Sequence, residues 1–441
     1  MESSRVVLSP LGWSALFGSL SALLIGLVTL NLLLLVIPLA VLALTATELL
    51  AFDRATRGFG PSWFHWQRFE NSSEVRIDGV GSMALDLERV GPGSAYLEVF
   101  DPQPEAFEVV LGDPHLLTWW SGSAPVRLAY VYRPRQRGRF RLGPTIVVAH
   151  DPLGFAFRTT KLENRWEVLV TPALSVEQAS SIPPGATGPS EAYRRRVGPG
   201  AEFRSLREYQ PSDDARKIAW RRSGLEKVYV REHEEEAHPE VLLLLDTGWG
   251  MRLGIPGSEG LELAVDGATV IAGQVIGRRD RIALLSYSDR LGEFVPPQRG
   301  SDGAERMTQA LGRVELVPAR FDLPGALAAA REHLAAPTTI VLFSTLLGVE
   351  GAVEGAIAEL RSRGHRLVAL CPEVASLFPP EADPIAAQTM ASALGPVEQQ
   401  VEYGVNRLRA GGAAVVRYPA THVREIAADL LAWITSGGGP V

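Results

Sequence analysis

The chain has 441 residues, 46% of them hydrophobic and 21% charged, a composition that supports several folded domains and excludes long disorder. Its formal charge of −7 gives no overall attraction for nucleic acid. Cys371 is the one cysteine, which excludes an intramolecular disulfide and a cysteine-based zinc site; at the end of an apolar run it reads as a buried strand residue.

From Val6 to Thr47 no residue is charged. One membrane span needs about 20 apolar residues, so this run holds two. Its most polar interior point, residues 29–31, divides it into predicted helices over 10–28 and 32–51, with Pro38 tolerated in the second. The run is too long for a secretory signal and lacks a cleavage pattern. Arg5 precedes it and Arg54, Arg57 and Arg68 follow, opposed closely by Asp53 alone. The positive-inside rule then predicts a multi-pass protein of the inner (cytoplasmic) membrane with its soluble bulk in the cytoplasm. A single long tilted span would put that bulk outside. Trp63, Phe64, Trp66 and Phe69 come next and suit an interfacial aromatic belt.

Residues 70–175 shorten to strand-length segments between Pro and Gly clusters, which predicts a β-sandwich-like domain after the transmembrane hairpin of 1–55. Expected strands are 96–100, 107–111, 126–132, 145–150 and 166–170. Arg133, Arg135, Arg137, Arg139 and Arg141 alternate at period two and would share a face on one strand, although Pro134 and Gly138 interrupt it. They suit acidic partners in the next segment, solvent, or lipid headgroups. Residues 180–190 form a Pro/Gly/Ser-rich linker.

The segment 190–236 mixes charge with large apolar anchors. Glu202, Arg207, Glu208, Asp213, Asp214, Arg216 and Arg221 interleave with Phe203, Leu206, Tyr209, Ile218 and Trp220. The anchors are expected to pack down while the charges form a fixed network. Pro211 disfavours helix at Gln210, Ser212 can cap, and Asp213 and Asp214 suit a helix N-terminus, so a helix is predicted over 213–222. The order Glu202, Arg207-Glu208-Tyr209, Pro211, Asp213-Asp214, Arg216, Ile218, Trp220 resembles the signature of the family called domain of unknown function 58. Arg137–Pro144 and Asp151-Pro-Leu-Gly extend the likeness upstream, and Ser212 stands where the family usually has Gly. The resemblance implies an N-terminal membrane hairpin, a von Willebrand factor A-like domain, and genes beside MoxR-type AAA+ ATPases. The signature then serves either as an inter-domain staple or as a docking surface.

Residues 237–438 alternate strand and helix, predicting a doubly wound, mostly parallel α/β sheet. Strands are expected at 241–245, 282–286, 339–344, 367–371 and 413–417. Helices are expected at 261–276, 304–314, 323–334, 353–363, 386–410 and 422–435. Asp246 ends the first strand, where ligands of such sheets bind. The von Willebrand A fold commonly holds a divalent metal there through Asp-x-Ser-x-Ser, a threonine and a later aspartate. Here Asp246 is followed by Gly248 and Gly250, Phe321 stands near the threonine position, and Ser344-Thr345 replaces Ser-Asp. One carboxylate is a poor magnesium site, so no metal is expected, with Asp246 the lone candidate ligand of a degenerate one.

Enzyme motifs fail on spacing. The histidines of His233-Glu-Glu-Glu-Ala-His238 are one position too far apart for a zinc-protease helix, and neither a P-loop nor a Gly-x-Ser-x-Gly elbow occurs. The sequence therefore predicts a membrane-anchored, non-enzymatic interaction protein with no cofactor and no nucleic-acid partner. The resemblance implies an adaptor or client of a MoxR-type AAA+ ATPase, working with other membrane or envelope proteins. The alternatives are a metal-dependent ligand-binding module and a hydrolase with an unrecognised site.

Overall fold

The computed structural model describes residues 5–90, 95–120, 125–174, 196–198, 202–210, 218–220, 228–235, 240–278, 280–334, 337–379 and 383–436. They fall into two compact units, 1–171 and 172–441.

In the first unit a short strand β1 (Val7–Leu8) leads directly into α1 (Pro10–Thr29), which turns into α2 (Leu32–Ala55). The turn lies where the polar break predicts it. Leu30 takes a left-handed conformation, and Asn31 caps α2 by accepting from the Leu33 N–H. Both helices are long and apolar enough to cross a membrane, and most of their surface is exposed.

The strands that follow are β2 (Phe64–Glu70), β3 (Glu74–Arg76), β4 (Gly81–Arg89) and β5 (Ala95–Phe100). Then come β6 (Phe107–Gly112), β7 (His115–Trp120), β8 (Val126–Pro134) and β9 (Gly138–Leu142). The set closes with β10 (Thr145–His150), β11 (Ala156–Leu162) and β12 (Trp166–Thr171). They form sheets ordered β1-β11-β10-β5-β7, β2-β4-β8-β6 and β3-β12-β9. Alternation along β4 buries Met83, Leu85 and Leu87 and turns the residues between them outward. All three sheets share one core, so the arrangement is sandwich-like with a small third sheet.

Two expectations are corrected here. Trp63 and Phe64 are buried in this core with Phe52 and Phe59, so they are not an interfacial belt; the chain leaving α2 feeds straight into the β core. The five arginines do not share a face. Arg133 lies on β8 and Arg139 and Arg141 on β9, in different sheets. Arg135 pairs with Asp78 and Glu108, and Arg141 with Glu167, all inside this unit.

In the second unit β13 (Arg196–Gly198), β14 (Glu202–Glu208) and β15 (Tyr229–Glu235) make a small antiparallel sheet. A six-stranded sheet follows, from β16 (Glu240–Asp246), β17 (Arg281–Tyr287), β18 (Leu291–Gln298), β19 (Thr338–Phe343), β20 (Arg366–Pro372) and β21 (Ala414–Tyr418). Its order is β18-β17-β16-β19-β20-β21, parallel except for the edge strand β18. The helices are α3 (Gly260–Gly277), α4 (Gly300–Arg313), α5 (Leu323–His333), α6 (Val353–Ser362), α7 (Pro384–Ala410) and α8 (Val423–Ser436). Alternate residues of β16 enter two separate apolar clusters, Leu243 and Leu245 in one and Leu242 and Leu244 in the other. A strand covered on both faces must be apolar throughout, which explains its unbroken leucine run. Each such leucine contributes about 1.5–3 kcal/mol relative to exposure.

Candidate functional site

β16 is the first strand of the six-stranded sheet. The chain winds from it to β17 and β18 on one side, then returns to β19 on the other. The carboxyl ends of β16 and β19 therefore flank a topological switch point, the place where doubly wound sheets bind ligands. Asp246 and Ser344 stand on either side of it.

Asp246 is 2% exposed and both of its oxygens are engaged by protein donors. Oδ1 accepts from the Gly248 N–H and Oδ2 from the Ser344 hydroxyl, each at 2.7 Å. Ser344 Oγ in turn accepts from the Leu346 N–H at 2.9 Å. Burial pushes the Asp246 carboxyl up to about 7, with the two donors opposing the shift. The carboxylate thus faces inward, as a latch between the ends of β16 and β19.

The donor set does not fit magnesium. A Cβ on Gly248 would lie 3.0 Å from the Phe321 nitrogen and 3.1 Å from Asp246 Oδ1, and one on Gly250 would lie 3.1 Å from Thr345 Oγ1. Serines at these positions would crowd backbone and the carboxyl itself. Phe321, near the expected threonine position, is buried, and its backbone nitrogen lies beside Gly248. Among the described residues no group of three or more His, Cys, Asp or Glu side chains is arranged to hold a metal. A six-oxygen shell cannot be assembled from one carboxyl already facing two donors.

The surface above the latch is different. Trp249 is 47% exposed, and its N–H donates to the Ala319 carbonyl at 2.9 Å, which fixes its loop against the 317–322 segment. Alongside lies a shallow groove of about 640 Å³ lined by Asp289, Ala319, Arg320, Asp322 and Glu350. Arg320 and Glu350 pair across it at 2.9 Å. Thr247 is buried and holds the neighbouring strand and loop through backbone bonds to Tyr287 and Val317. Cys371 is fully buried and its thiol is pushed up to about 12, far from a reactive thiolate.

The signature residues lie apart from the switch point in sequence and in sheet. Glu202, Arg207 and Glu208 are on β14, with Arg207 opposite Val230 and Glu208 opposite Tyr229. Glu208 and Tyr209 are exposed, the latter with its N–H donating to the Val228 carbonyl. Pro211, Asp213, Asp214, Arg216 and Arg221 lie outside the described residues, as does the 180–190 linker. The helix expected over 213–222 is not what residues 218–220 form. Ile218 bridges to Val230 and the Ala219 N–H donates to the Tyr229 carbonyl, so this end of the segment adds to β15 as a strand would. Trp220 is 70% exposed, not packed down as an anchor. His233 lies on β15, not on a helix, which removes the last likeness to a zinc-protease motif.

Sequence reasoning found Asp246 from its place at a strand end. It missed the latch, because Ser344 lies 98 residues away and only the parallel pairing of β16 with β19 brings the two together.

Residues 205–374 match the family model described as protein of unknown function DUF58. No curated protein matches the chain. Similar solved structures include the conserved hypothetical protein BatB of Bacteroides thetaiotaomicron, at 14% identity over 44% of this chain and 97% of that one, with a TM-score of 0.33. An aerotolerance-related membrane protein of Bacteroides fragilis NCTC 9343 matches at 14% identity over 43% and 97%, TM-score 0.30. The vWF domain of the type V pili tip protein Mfa5 of Porphyromonas gingivalis matches at 12% identity over 46% and 98%, TM-score 0.30. The stretch that matches the model runs from within the signature strand, through the switch point, to the loop after β20.

Proposed function

We propose that this protein is a membrane-anchored, non-enzymatic interaction module whose partner docks on the strand-end face around Trp249. The observation that carries this reading is the contrast between Asp246, sealed 2% exposed beneath the face, and Trp249, 47% exposed upon it. Exposed tryptophans with fixed backbones make strong contact anchors. A carboxyl sealed by its own fold does not reach a substrate or a metal. The family resemblance favours a MoxR-type AAA+ ATPase as the partner, with this chain as adaptor or client in envelope or complex assembly. The exposed signature positions Glu208, Tyr209 and Trp220 are a second contact region.

The two apolar N-terminal helices are the anchor. Arg5, Arg54 and Arg57 are exposed at their base and favour soluble units on the cytoplasmic side. Arg68 drops out of that count, being buried and paired with Glu70 and Asp101.

The test is affinity capture of the detergent-solubilised full chain after mild crosslinking in its native cells, beside Trp249→Ala, Arg207→Glu and Asp213→Lys. An AAA+ ATPase enriched with the parent and lost with Trp249→Ala is the expected outcome. Equal recovery with all four proteins would remove the docking role from both regions. Titration with magnesium is expected to give no heat of binding; saturable uptake abolished by Asp246→Asn would favour the metal-dependent reading instead.

A further inference from the structure

The five-stranded sheet of the first unit carries an outward-facing row that crosses every one of its strands. Val7 pairs with Phe157, Phe157 with His150, His150 with Tyr96, and Tyr96 with Trp119. Val7, Tyr96 and Trp119 are 48%, 40% and 45% exposed. The rings of Tyr96 and Trp119 meet edge to face with centroids 4.6 Å apart, and His150 and Phe157 are 6.2 Å apart. At about 4.8 Å per strand the row is about 19 Å wide, with rings on four of its five strands.

The row lies at the end of the sheet from which the hairpin leaves. Val7 is on β1, and α1 begins at Pro10. The junction is clamped. The Ser9 N–H donates to the Phe155 carbonyl at 2.9 Å, and its hydroxyl donates to the Gly154 carbonyl at 2.5 Å. A Cβ on Gly12 would lie 2.2 Å from the Phe155 oxygen, so α1 touches the β10–β11 turn at a distance only glycine permits. Asp53 of α2 pairs with Arg158 of β11, and Phe52 is part of the β core. Both helices are therefore fastened to this end of the sheet, and Leu153 of the same turn is 43% exposed beside them.

Further along the strands, away from the hairpin, charged and titratable side chains join the apolar ones, with Leu117 60% and Phe100 40% exposed among them. Beyond the aromatic row comes Glu98, which bridges His115 and His150 at 2.8 and 2.7 Å. One step further, Lys161 and His115 flank Ile146 and Phe100. Tryptophan and tyrosine concentrate at membrane–water interfaces, where a ring meets both apolar chains and polar headgroups. A band of these residues, fixed to the base of a spanning hairpin and backed by charge, has that chemistry.

We infer that the row Val7, Phe157, His150, Tyr96 and Trp119 dips into the lipid interface, so that the β unit rests on the bilayer by its hairpin end. The occupant of this apolar surface is lipid, and the exposed Arg54 and Arg57 at the hairpin base supply cations for anionic headgroups. The inference rests on the hairpin's being the membrane anchor. It adds that the β unit is held at a fixed height and orientation.

The test uses the full chain in vesicles of phosphatidylcholine and phosphatidylglycerol. A bimane label is attached to Trp119→Cys, Tyr96→Cys, Phe100→Cys, Val80→Cys or Leu20→Cys. Cys371 is fully buried, and the unsubstituted chain gives the background. Val80, 55% exposed, precedes the start of β4 at the end of the unit away from the hairpin, and Leu20 is mid-helix in α1. Labels at 96 and 119 are expected to be quenched by acyl-brominated lipid and to lose quenching by aqueous iodide. The label at 80 should do the reverse. Phe100, about 13 Å further along β5 than Tyr96, should follow Val80. Labels at 96 and 119 that match Val80 while Leu20 is quenched by lipid would overturn the inference and leave the row to a protein partner. A Leu20 label silent to brominated lipid would overturn the anchor and the row together. Agreement between two labels on neighbouring strands guards against a local disturbance at either one.

Discussion

The two units bury charge in different ways. In the β unit, Arg68 sits between Glu70 at 2.7 Å and Asp101 at 3.2 Å, with both carboxyl groups inaccessible to solvent. Asp101 also accepts from the Tyr130 hydroxyl at 2.6 Å and the Thr145 hydroxyl at 2.8 Å. In the α/β unit, Asp246 has only the Ser344 hydroxyl and one backbone N–H. Yet burial pushes both Glu70 and Asp246 up to about 7. The guanidinium of Arg68 is shared, and Glu70 Oε2 is buried with no hydrogen-bond partner, so one cation does not offset the desolvation of two carboxylates. The lesson is that a raised carboxyl does not by itself mark a functional site. In the β unit it belongs to a staple joining residues 68, 70, 101, 130 and 145; in the α/β unit it belongs to a latch under a surface.

The largest expected effect tests that distinction. Asp101→Ala would remove the acceptor shared by Arg68, Tyr130 and Thr145 and leave Arg68 with Glu70 as its one carboxylate, and taking one partner out of a buried ion network costs about 3–5 kcal/mol. Ser344→Ala removes one neutral donor and should cost about 1–3 kcal/mol. Urea titration of the full chain with pulse proteolysis, assigning fragments to 1–171 or 172–441, reads each unit separately. Equal losses in the two variants would mean that the network is no staple.

The pH dependence sharpens the comparison next. Asp246 binds its proton more tightly folded than unfolded, because its ordinary value of 3.8 is raised to about 7. Its contribution to stability is full below the unfolded value and is lost as pH rises through the folded one. The α/β unit should therefore lose about 2–4 kcal/mol from this group between about pH 4 and about pH 8. Asp246→Asn should flatten that slope in fragment 172–441 and leave the slope of the β unit, with Glu70 intact, unchanged. An unaltered slope would place the titrating group elsewhere.

Which parts were legible in the sequence follows from the same physics. Strands buried on both faces, such as Glu240–Asp246, announce themselves as apolar runs, and capped helices such as Leu323–His333 have both ends marked. β18, Leu291–Gln298, was hidden by Pro296 and Pro297, which deny a strand inside a sheet but are tolerated on the edge it occupies. Trp63 and Phe64 read as part of a belt because they follow a membrane run, and only the packed structure turns these two into a core while Phe69 stays exposed. The aromatic row could not be read at all, since it joins residues 7, 157, 150, 96 and 119 by register alone. Asp246 was visible, but its partner Ser344 became one only through the β16–β19 pairing.

The smallest expected effect on stability carries the most for function. Trp249 is half exposed, and its structural work is done by its backbone N–H on Ala319, which an alanine keeps. Trp249→Ala should therefore change unfolding by no more than about 0.5 kcal/mol, as for a surface substitution away from caps and networks. Losing a contact anchor typically costs about 2 kcal/mol or more in binding, a factor of about 30 in affinity. A large loss of capture with an unchanged unfolding profile would separate the surface from the latch beneath it. A large loss of stability would instead make Trp249 part of the fold, and any loss of capture would then say nothing about docking.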